Sequence, residues 1–257
     1  MSDSPKPIPY SQRRKKKLQE KRRKEGRAPL DLALKEPSPR ITGELTRAYE
    51  SGDWEMAEFM AKEMTQNHPE FPLGWTFAGL ILAQTGRFKD ALPFLQRHTK
   101  LLPKDPGGHN NLGNILKDLG RIKDAIESYK EAIRLDSTFA DPHNNLGVVF
   151  GLAKQHKQSE DCFRKAIELH PLSSQFQANL ANVLREQRRY EEAELGYREA
   201  IRINPHLPET HNNLGLVLGG LGRLSESESC FREAIRINRE YPEAYYNLGI
   251  LQQDLGQ

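Results

Sequence analysis

The chain repeats a 34-residue unit from Ser38 onward, and this period constrains its fold more than any single residue does. The clearest marker recurs as His109-Asn110-Asn111-Leu112-Gly113, His143-Asn144-Asn145-Leu146-Gly147 and His211-Asn212-Asn213-Leu214-Gly215, with looser versions at Asn179-Leu180-Ala181 and Asn247-Leu248-Gly249. Self-similarity at such a period is typical of a stacked array, in which each unit contacts only its neighbours. The period therefore favours an extended binding surface over a compact catalytic domain.

Numbering each repeat from 1 to 34 predicts a pair of antiparallel helices. Positions 7, 8 and 11 are apolar or small, the spacing of a buried stripe on a first helix. Position 15 is glycine in five of seven copies and predicts a left-handed residue that ends this helix. A small residue at position 20 faces the small residue at 8, an aromatic at 24 fills the space beside the pair, and proline at 32 ends the second helix.

This pattern resembles the tetratricopeptide repeat, and the resemblance covers about 220 of the 257 residues without insertion or deletion. It implies an all-α fold, a right-handed α-solenoid (superhelix) of helix-turn-helix repeats. The resulting division is a basic, disordered arm over 1–37, a degenerate first repeat over 38–71, repeats two to six over 72–105, 106–139, 140–173, 174–207 and 208–241, and the first helix of a seventh repeat over 242–257.

The first two repeats depart most from the pattern, and Pro93 lies early in the second helix of repeat two. We expect this proline to occupy a first turn, where its missing N–H costs little. The seventh repeat stops after one rather apolar helix, which is either a poor cap or part of a longer design.

The arm carries the chain's positive charge. Its first 27 residues hold eleven Lys and Arg against three Asp and Glu, so the remaining 230 residues sum to −5. The basic residues of the arm are Arg13, Arg14, Lys15, Lys16, Lys17, Lys21, Arg22, Arg23 and Lys24. Such a run either solubilises the chain or binds a weak anionic partner, a nucleic acid or a membrane surface. No apolar run is long enough to cross a membrane, and two cysteines suit a reducing, cytoplasmic setting, or a nuclear one in a eukaryote.

Position 6 is the leading candidate binding site, because asparagine occupies it in five successive repeats: Asn111, Asn145, Asn179, Asn213 and Asn247. A carboxamide both donates and accepts, so it can pair with the backbone of an extended peptide. The row is similar to the asparagine ladder of eukaryotic O-GlcNAc transferases, and that resemblance implies a concave groove that holds polypeptides. The alternative is that asparagine serves helix starts and solubility. Secondary groove positions are Asn110, Asn114, Asn144, Asn182, Asn212, Lys117 and Arg185.

Other site chemistries find less support. A carboxylate clamp for acidic tails needs Lys or Arg at positions 2, 5 and 6, and these positions carry none in repeats three to six. The histidines at position 4 lie on successive helices roughly 8–10 Å apart, too far to share a metal ion. Cys162 and Cys230 lie two repeats apart and predict no disulfide. We identify no catalytic residue, metal site or cofactor, and expect no enzyme activity.

The sequence therefore predicts a non-enzymatic adaptor that binds an extended segment of a protein or peptide partner. Lys117, Arg185, Asp118 and Glu186 would tune its side-chain preference. Two alternatives stay open: the substrate-recruiting part of a larger transferase (a glycosyltransferase or sulfotransferase) or oxygenase, and an RNA- or ribosome-associated factor that binds through the arm.

Overall fold

The structure, a computed structural model, describes residues 36–254. It divides into two compact units, the described part of 1–135 and that of 136–257. The first unit contains α1 Pro39–Glu50, α2 Trp54–Asn67, α3 Pro72–Gln84, α4 Phe88–Leu101, α5 Pro106–Asp118 and α6 Ile122–Leu135. The second contains α7 Ala140–Leu152, α8 His156–Leu169, α9 Ser174–Glu186, α10 Tyr190–Ile203, α11 Pro208–Gly220, α12 Leu224–Ile237 and α13 Pro242–Asp254. The described chain is thus all-α, and within each unit helical hairpins stack in sequence order, which confirms the predicted fold class.

The helix limits follow the 34-residue register. Five of the seven described first helices begin at a proline, whose fixed φ suits the first turn. Asp105 caps α5 by accepting from the backbone N–H groups of Gly107 and Gly108. All six described second helices end at position 30, including those of the copies with Ser137 and Arg239 in place of proline at 32. Proline is therefore not required to end the second helix.

Position 15 adopts a left-handed backbone in every described copy. The four glycines Gly52, Gly86, Gly120 and Gly222 have φ between 70° and 74°. Lys154 and Arg188, the two other residues at this position, have φ of 56° and 58°. A residue with a Cβ is strained in this conformation, so the turn is imposed by the hairpin rather than by glycine.

Arg188→Gly should therefore stabilise the chain. Removing the Cβ relieves strain, while the more flexible unfolded chain offsets part of the gain, so we expect the free energy of unfolding to rise by about 0.5–1 kcal/mol. Urea denaturation followed by circular dichroism measures the change. Gly222→Ala is the control and should lower the free energy of unfolding. A lower free energy of unfolding in Arg188→Gly would contradict a strained left-handed conformation at Arg188.

Within a hairpin, the residue at position 8 lies against the ring at position 24. A Cβ added to Gly113 would lie 2.5 Å from the Tyr129 ring, and one added to Gly215 would lie 2.6 Å from the Phe231 ring. Both rings are buried. Where position 8 is instead Ala181, the facing second helix has Gly196, whose added Cβ would lie 3.0 Å from the Ala181 Cβ. The close approach is thus preserved by exchanging which helix carries the glycine.

Repeat two departs from the pattern but keeps its helices. Pro93 is the sixth residue of α4, beyond the first turn, so the expectation that it sits where its N–H has no partner is wrong. His98 replaces the usual alanine at position 27 and is buried. Its Nδ1 bonds the Thr76 hydroxyl at 2.8 Å and its Nε2 bonds Asp105, the cap of α5, at 2.7 Å. This polar side chain is therefore satisfied inside the first unit.

A repeated ion pair links successive second helices, and the sequence analysis missed it. A glutamate at position 21 accepts from an arginine at position 16 of the next repeat. The pairs are Arg87 Nη1–Glu58 Oε2 at 2.9 Å, Arg189 Nη1–Glu160 Oε2 at 2.7 Å and Arg223 Nη1–Glu194 Oε2 at 2.6 Å. Each glutamate also pairs with a Lys or Arg four residues later in its own helix. Such a network is more favourable than isolated surface pairs.

These pairs predict a stability that depends on pH. Burial alone would raise the pKa of Glu194, but hydrogen bonds and charge from Arg198 and Arg223 outweigh it and lower the pKa below 4.5. The folded state therefore binds a proton at Glu194 less readily than the unfolded state does. The stabilisation by ionised Glu194 is thus present above pH 4.5 and is lost on acidification. The deficit in free energy of unfolding of Glu194→Gln should be largest near pH 7 and narrow below pH 4.5.

Urea unfolding at several pH values measures this narrowing. Glu191→Gln, an exposed neighbour on α10, is the matched control and should follow the wild type throughout. A deficit of Glu194→Gln that stays constant from pH 7 to pH 3 would contradict the ion-pair assignment.

Candidate functional site

The first helices of the second unit present a continuous stripe of side chains, which we call the first-helix face. It comprises positions 2, 6, 9 and 13 of α7, α9, α11 and α13, whose spacing places them on one side of a helix. Its described members are Asp141, Asn145, Val148 and Leu152 on α7; Gln175, Asn179, Asn182 and Glu186 on α9; Glu209, Asn213, Leu216 and Gly220 on α11; and Glu243, Asn247 and Ile250 on α13. None of them is buried.

The position-6 asparagines bond to the neighbouring repeat. Asn179 Nδ2 donates to Asn144 Oδ1 at 2.8 Å, and Asn247 Nδ2 donates to Asn212 Oδ1 at 2.8 Å. Both acceptors lie at position 5 of the preceding repeat and are buried. Each donor therefore fixes one N–H between repeats and retains a second N–H.

The repeat that lacks asparagine at position 5 uses another acceptor. Ala178 occupies that position in α9, so Asn213 Nδ2 donates instead to Asn182 Oδ1, at 3.1 Å. The same oxygen accepts from the Tyr197 hydroxyl at 2.6 Å. Burial raises the pKa of Tyr197 to about 12, although the nearby Arg185 guanidinium opposes the rise. The hydroxyl is therefore protonated and donates at neutral pH.

The predicted secondary positions divide into two groups. Asn110, Asn144 and Asn212 are buried, so these three lie beneath the surface and we do not retain them in the proposed contact. Asn114 and Asn182 are half-buried and accept from Tyr129 and Tyr197 through Oδ1.

The predicted groove cations differ in their partners. In the first unit Lys117 pairs with the adjacent Asp118 at 3.3 Å, and Asn111 lies half-buried on the same helix. In the second unit the Arg185 Nε is buried and has no hydrogen-bond partner among the described residues. Glu186 faces His156, 3.7 Å away. Of the two cations, Arg185 is therefore the one not held in an ion pair with a described carboxylate.

The first-helix face also carries apolar side chains that the sequence analysis missed. Leu152 is 69% exposed, Leu216 36% and Ile250 43%. They occupy positions 9 and 13. The sequence pattern was defined by the buried positions 7, 8 and 11, so it did not predict these exposed residues. Asp141, Glu209 and Glu243, at position 2, are exposed and form no ion pair within 136–254. The face thus combines amides, exposed aliphatic groups and an acidic edge.

Two of the three position-4 histidines bond a backbone carbonyl of the preceding loop. His109 Nε2 bonds the Pro103 carbonyl at 3.0 Å in the first unit, and His211 Nε2 bonds the Pro205 carbonyl at 2.9 Å in the second. Burial lowers the pKa of His143. Among the described residues, no group of three His, Cys, Asp or Glu is placed to hold a metal ion, and no helix could span a membrane.

The two cysteines are free and half-buried, and burial raises the pKa of each thiol to about 11. A thiol with so high a pKa is a poor nucleophile at neutral pH. The basic arm from Arg13 to Lys24 and the last residues of the seventh repeat lie outside the described residues, so the predictions made for them stay predictions.

Family models now decide the assignment. Models described as tetratricopeptide repeats match residues 43–106, 113–152, 140–171, 162–194, 181–222 and 220–256. The chain belongs to the tetratricopeptide repeat family. No curated protein sequence matches it significantly. The repeat fold is that of a protein–protein interaction scaffold.

Solved tetratricopeptide structures share this fold. The anaphase-promoting complex assembly Cut9–Hcn1 matches with a TM-score of 0.74 and 17% identity over 82% of this chain, and the match spans only 42% of that chain. MamA matches with a TM-score of 0.56 and 25% identity over 63% of this chain and 95% of its own. YrrB, described as a tetratricopeptide protein with an unusual peptide-binding site, matches with a TM-score of 0.55 and 17% identity over 72% of this chain and 96% of its own.

Asn179→Ala should destabilise the second unit. The substitution leaves the buried side-chain Oδ1 of Asn144 without its donor. We therefore expect a loss of about 1–2 kcal/mol in the free energy of unfolding. Chemical denaturation measures it, and exposed Gln175→Ala on the same helix is the control. In a double-mutant cycle with Asn144→Ala the two losses should not add; strict additivity would show that the amides are not coupled.

Proposed function

We propose that this tetratricopeptide chain is a non-enzymatic adaptor whose first-helix face binds an extended segment of a partner protein. The observation that carries the proposal is the stripe of half-buried amides and exposed aliphatic side chains along the first helices of four successive repeats, α7, α9, α11 and α13. Packing of the repeats does not require exposed aliphatic side chains on this side of the first helices. Aligned exposed apolar residues on a protein surface are typical of an interaction site.

Backbone recognition would use the free half of the Asn179 and Asn247 amides. Asn179 and Asn247 each spend one N–H on the neighbouring repeat, which orients the carboxamide and leaves an oxygen and one N–H for a ligand. A side chain held by such a bond loses less conformational entropy on binding. The hydrogen bond between repeats thus supports ligand binding by the row of position-6 asparagines, because it does not use all of their hydrogen-bonding groups.

Side-chain recognition would use the rest of the face. Leu152, Leu216 and Ile250 would contact aliphatic side chains of the ligand. The exposed carboxylates Asp141, Glu209 and Glu243 would favour basic residues along one edge, since charge complementarity gives specificity. Arg185, at position 12 beside this face, would pair with a single acidic side chain of the ligand near Asn182. We therefore expect ligands that are aliphatic and predominantly basic.

Substitution of the asparagines alone does not separate binding from folding, because they also link the repeats. Leu152→Asp is a cleaner test, since this side chain is already 69% exposed. Leu195→Asp is the matched control: Leu195 is 70% exposed but lies on the second helix α10, away from the first-helix face.

We expect Leu152→Asp to weaken binding at least about tenfold, because burying an unpaired charge against an aliphatic ligand is unfavourable. The measurement is selection of the chain against a displayed library of 12-residue peptides, followed by titration of the enriched sequences. Leu195→Asp should bind like the wild type. Equal loss in both variants, or no enrichment by the wild type, would contradict the proposal.

A further inference from the structure

A cavity of about 440 Å³ lies between two loops of the second unit, the loop that precedes α7 and the loop that joins α8 to α9. We call it the inter-loop pocket. Asp136 and Phe139 line it from the first loop, and His170 lines it from the second. Asp141 and Gln175, at position 2 of α7 and α9, also line it. Both belong to the first-helix face, so the pocket adjoins the surface proposed to bind a partner segment.

Part of the pocket wall is aromatic and aliphatic. Phe176 is 5% exposed, and its ring meets the His170 ring edge-on, with the ring centroids 6.1 Å apart. Phe139 and Leu169 also line the pocket and are half-buried. Leu172, in the same loop as His170, is 67% exposed. The pocket therefore offers contact area to the apolar part of a ligand.

Two carboxylates give the pocket its charge. Asp136 Oδ1 accepts from the backbone N–H of Thr138 at 2.9 Å and from its hydroxyl at 2.7 Å. These hydrogen bonds lower the pKa of Asp136, so this carboxyl is ionised at neutral pH. Asp141 is exposed to solvent. Neither carboxylate forms an ion pair within residues 136–254, so both are available to a cationic ligand.

The charge balance favours an organic cation over an anion or a metal ion. The N-termini of α7 and α9 meet at the pocket, and each supplies about half of a positive elementary charge. The two carboxylates carry two full negative charges, which exceed that sum. Asp136, Asp141 and His170 are not placed together to hold a metal ion in the described part of the chain. The apolar wall suits a cation that also carries methylene groups.

This pair of carboxylates occurs at one junction between repeats. Asp136 is at position 31 of its repeat, and Asp141 is at position 2 of the next. The other described junctions, from repeat one to repeat seven, have at most one acidic residue at these two positions. The sequence thus sets the junction between α6 and α7 apart, and a ligand lying along the first-helix face would meet such a pair once.

We propose that the inter-loop pocket binds one arginine side chain of the segment that lies on the first-helix face. The inference rests on the proposed function and names one residue of its ligand. The guanidinium stacks on the aromatic wall and donates to Asp136 and Asp141, while its methylene groups contact Leu169. Arginine fits better than lysine, because a planar guanidinium stacks on aromatic rings and is less strongly hydrated than an ammonium group.

The test selects a displayed library of 12-residue peptides against the full chain and against the double variant Asp136→Asn/Asp141→Asn. Asparagine at position 136 can still accept from Thr138, and position 141 is exposed, so the fold should be retained. The control Asp161→Asn/Glu191→Gln removes two charges from exposed positions on α8 and α10. We expect the wild type and the control to enrich peptides that share one arginine, and the pocket variant to lose this preference.

Titration of an enriched peptide then measures the coupling. Replacing its shared arginine by citrulline, a neutral side chain of similar shape, should weaken binding to the wild type at least about tenfold. The same replacement should change binding to Asp136→Asn/Asp141→Asn by no more than about twofold, because the partner charges are already absent. A lysine in place of the arginine should also bind the wild type more weakly. Equal affinity of the lysine and arginine peptides would overturn the assignment to arginine.

The outcomes separate this inference from the proposed function. Enriched peptides that lose affinity in Leu152→Asp but share no arginine would overturn the pocket proposal and leave the adaptor function intact. An equal loss on citrulline replacement in the wild type and in the pocket variant would have the same meaning. Absence of any enrichment by the wild type would overturn both proposals.

Discussion

The close approach of the side chain at position 24 to a glycine at position 8 sets the helix spacing in repeats two, three, four and six. At Gly113 and Gly215 an added Cβ would lie well inside contact distance of the ring at position 24. The ring can therefore be fully buried against the first helix rather than beside it. In repeat five the close approach is instead between the Cβ of Ala181 and the backbone of Gly196. Helices held at this distance leave their outer sides for contacts with neighbouring repeats.

Polar contacts link the repeats on both sides of the stack in the second unit, in addition to the apolar core that they share. On the first-helix side, amides donate to buried amides of the preceding repeat. On the second-helix side, arginines at position 16 reach back to glutamates at position 21, the buried Glu160 and the half-buried Glu194. Hydrogen bonds and ion pairs have directional geometry, so they fix the register between repeats more tightly than apolar packing alone. A fixed register keeps the spacing of the exposed groups on the first-helix face constant.

The same residues thus serve folding and, by our proposal, recognition. Asn179 and Asn247 illustrate this overlap, because one N–H of each is used between repeats and the other is free for a ligand. Exposed aliphatic residues such as Leu152 have no folding role of this kind, which makes them the more informative positions for binding. At Lys154 and Arg188 the backbone is left-handed although both residues have a Cβ, and the packed hairpin tolerates this local strain.

The sequence by itself determined the all-α class, the repeat register and the turn at position 15, because these depend on residue spacing within one repeat. It also placed asparagine at position 6. Only the tertiary structure decided that Asn144 is buried, that Asn213 bonds Asn182 rather than position 5, and that Pro93 lies inside α4. The arginine–glutamate pairs also needed it. The place of Pro93 follows from where α4 begins. The other features depend on a neighbouring helix some thirty residues away in the chain, and the distance and direction of that neighbour are set by packing rather than by local pattern.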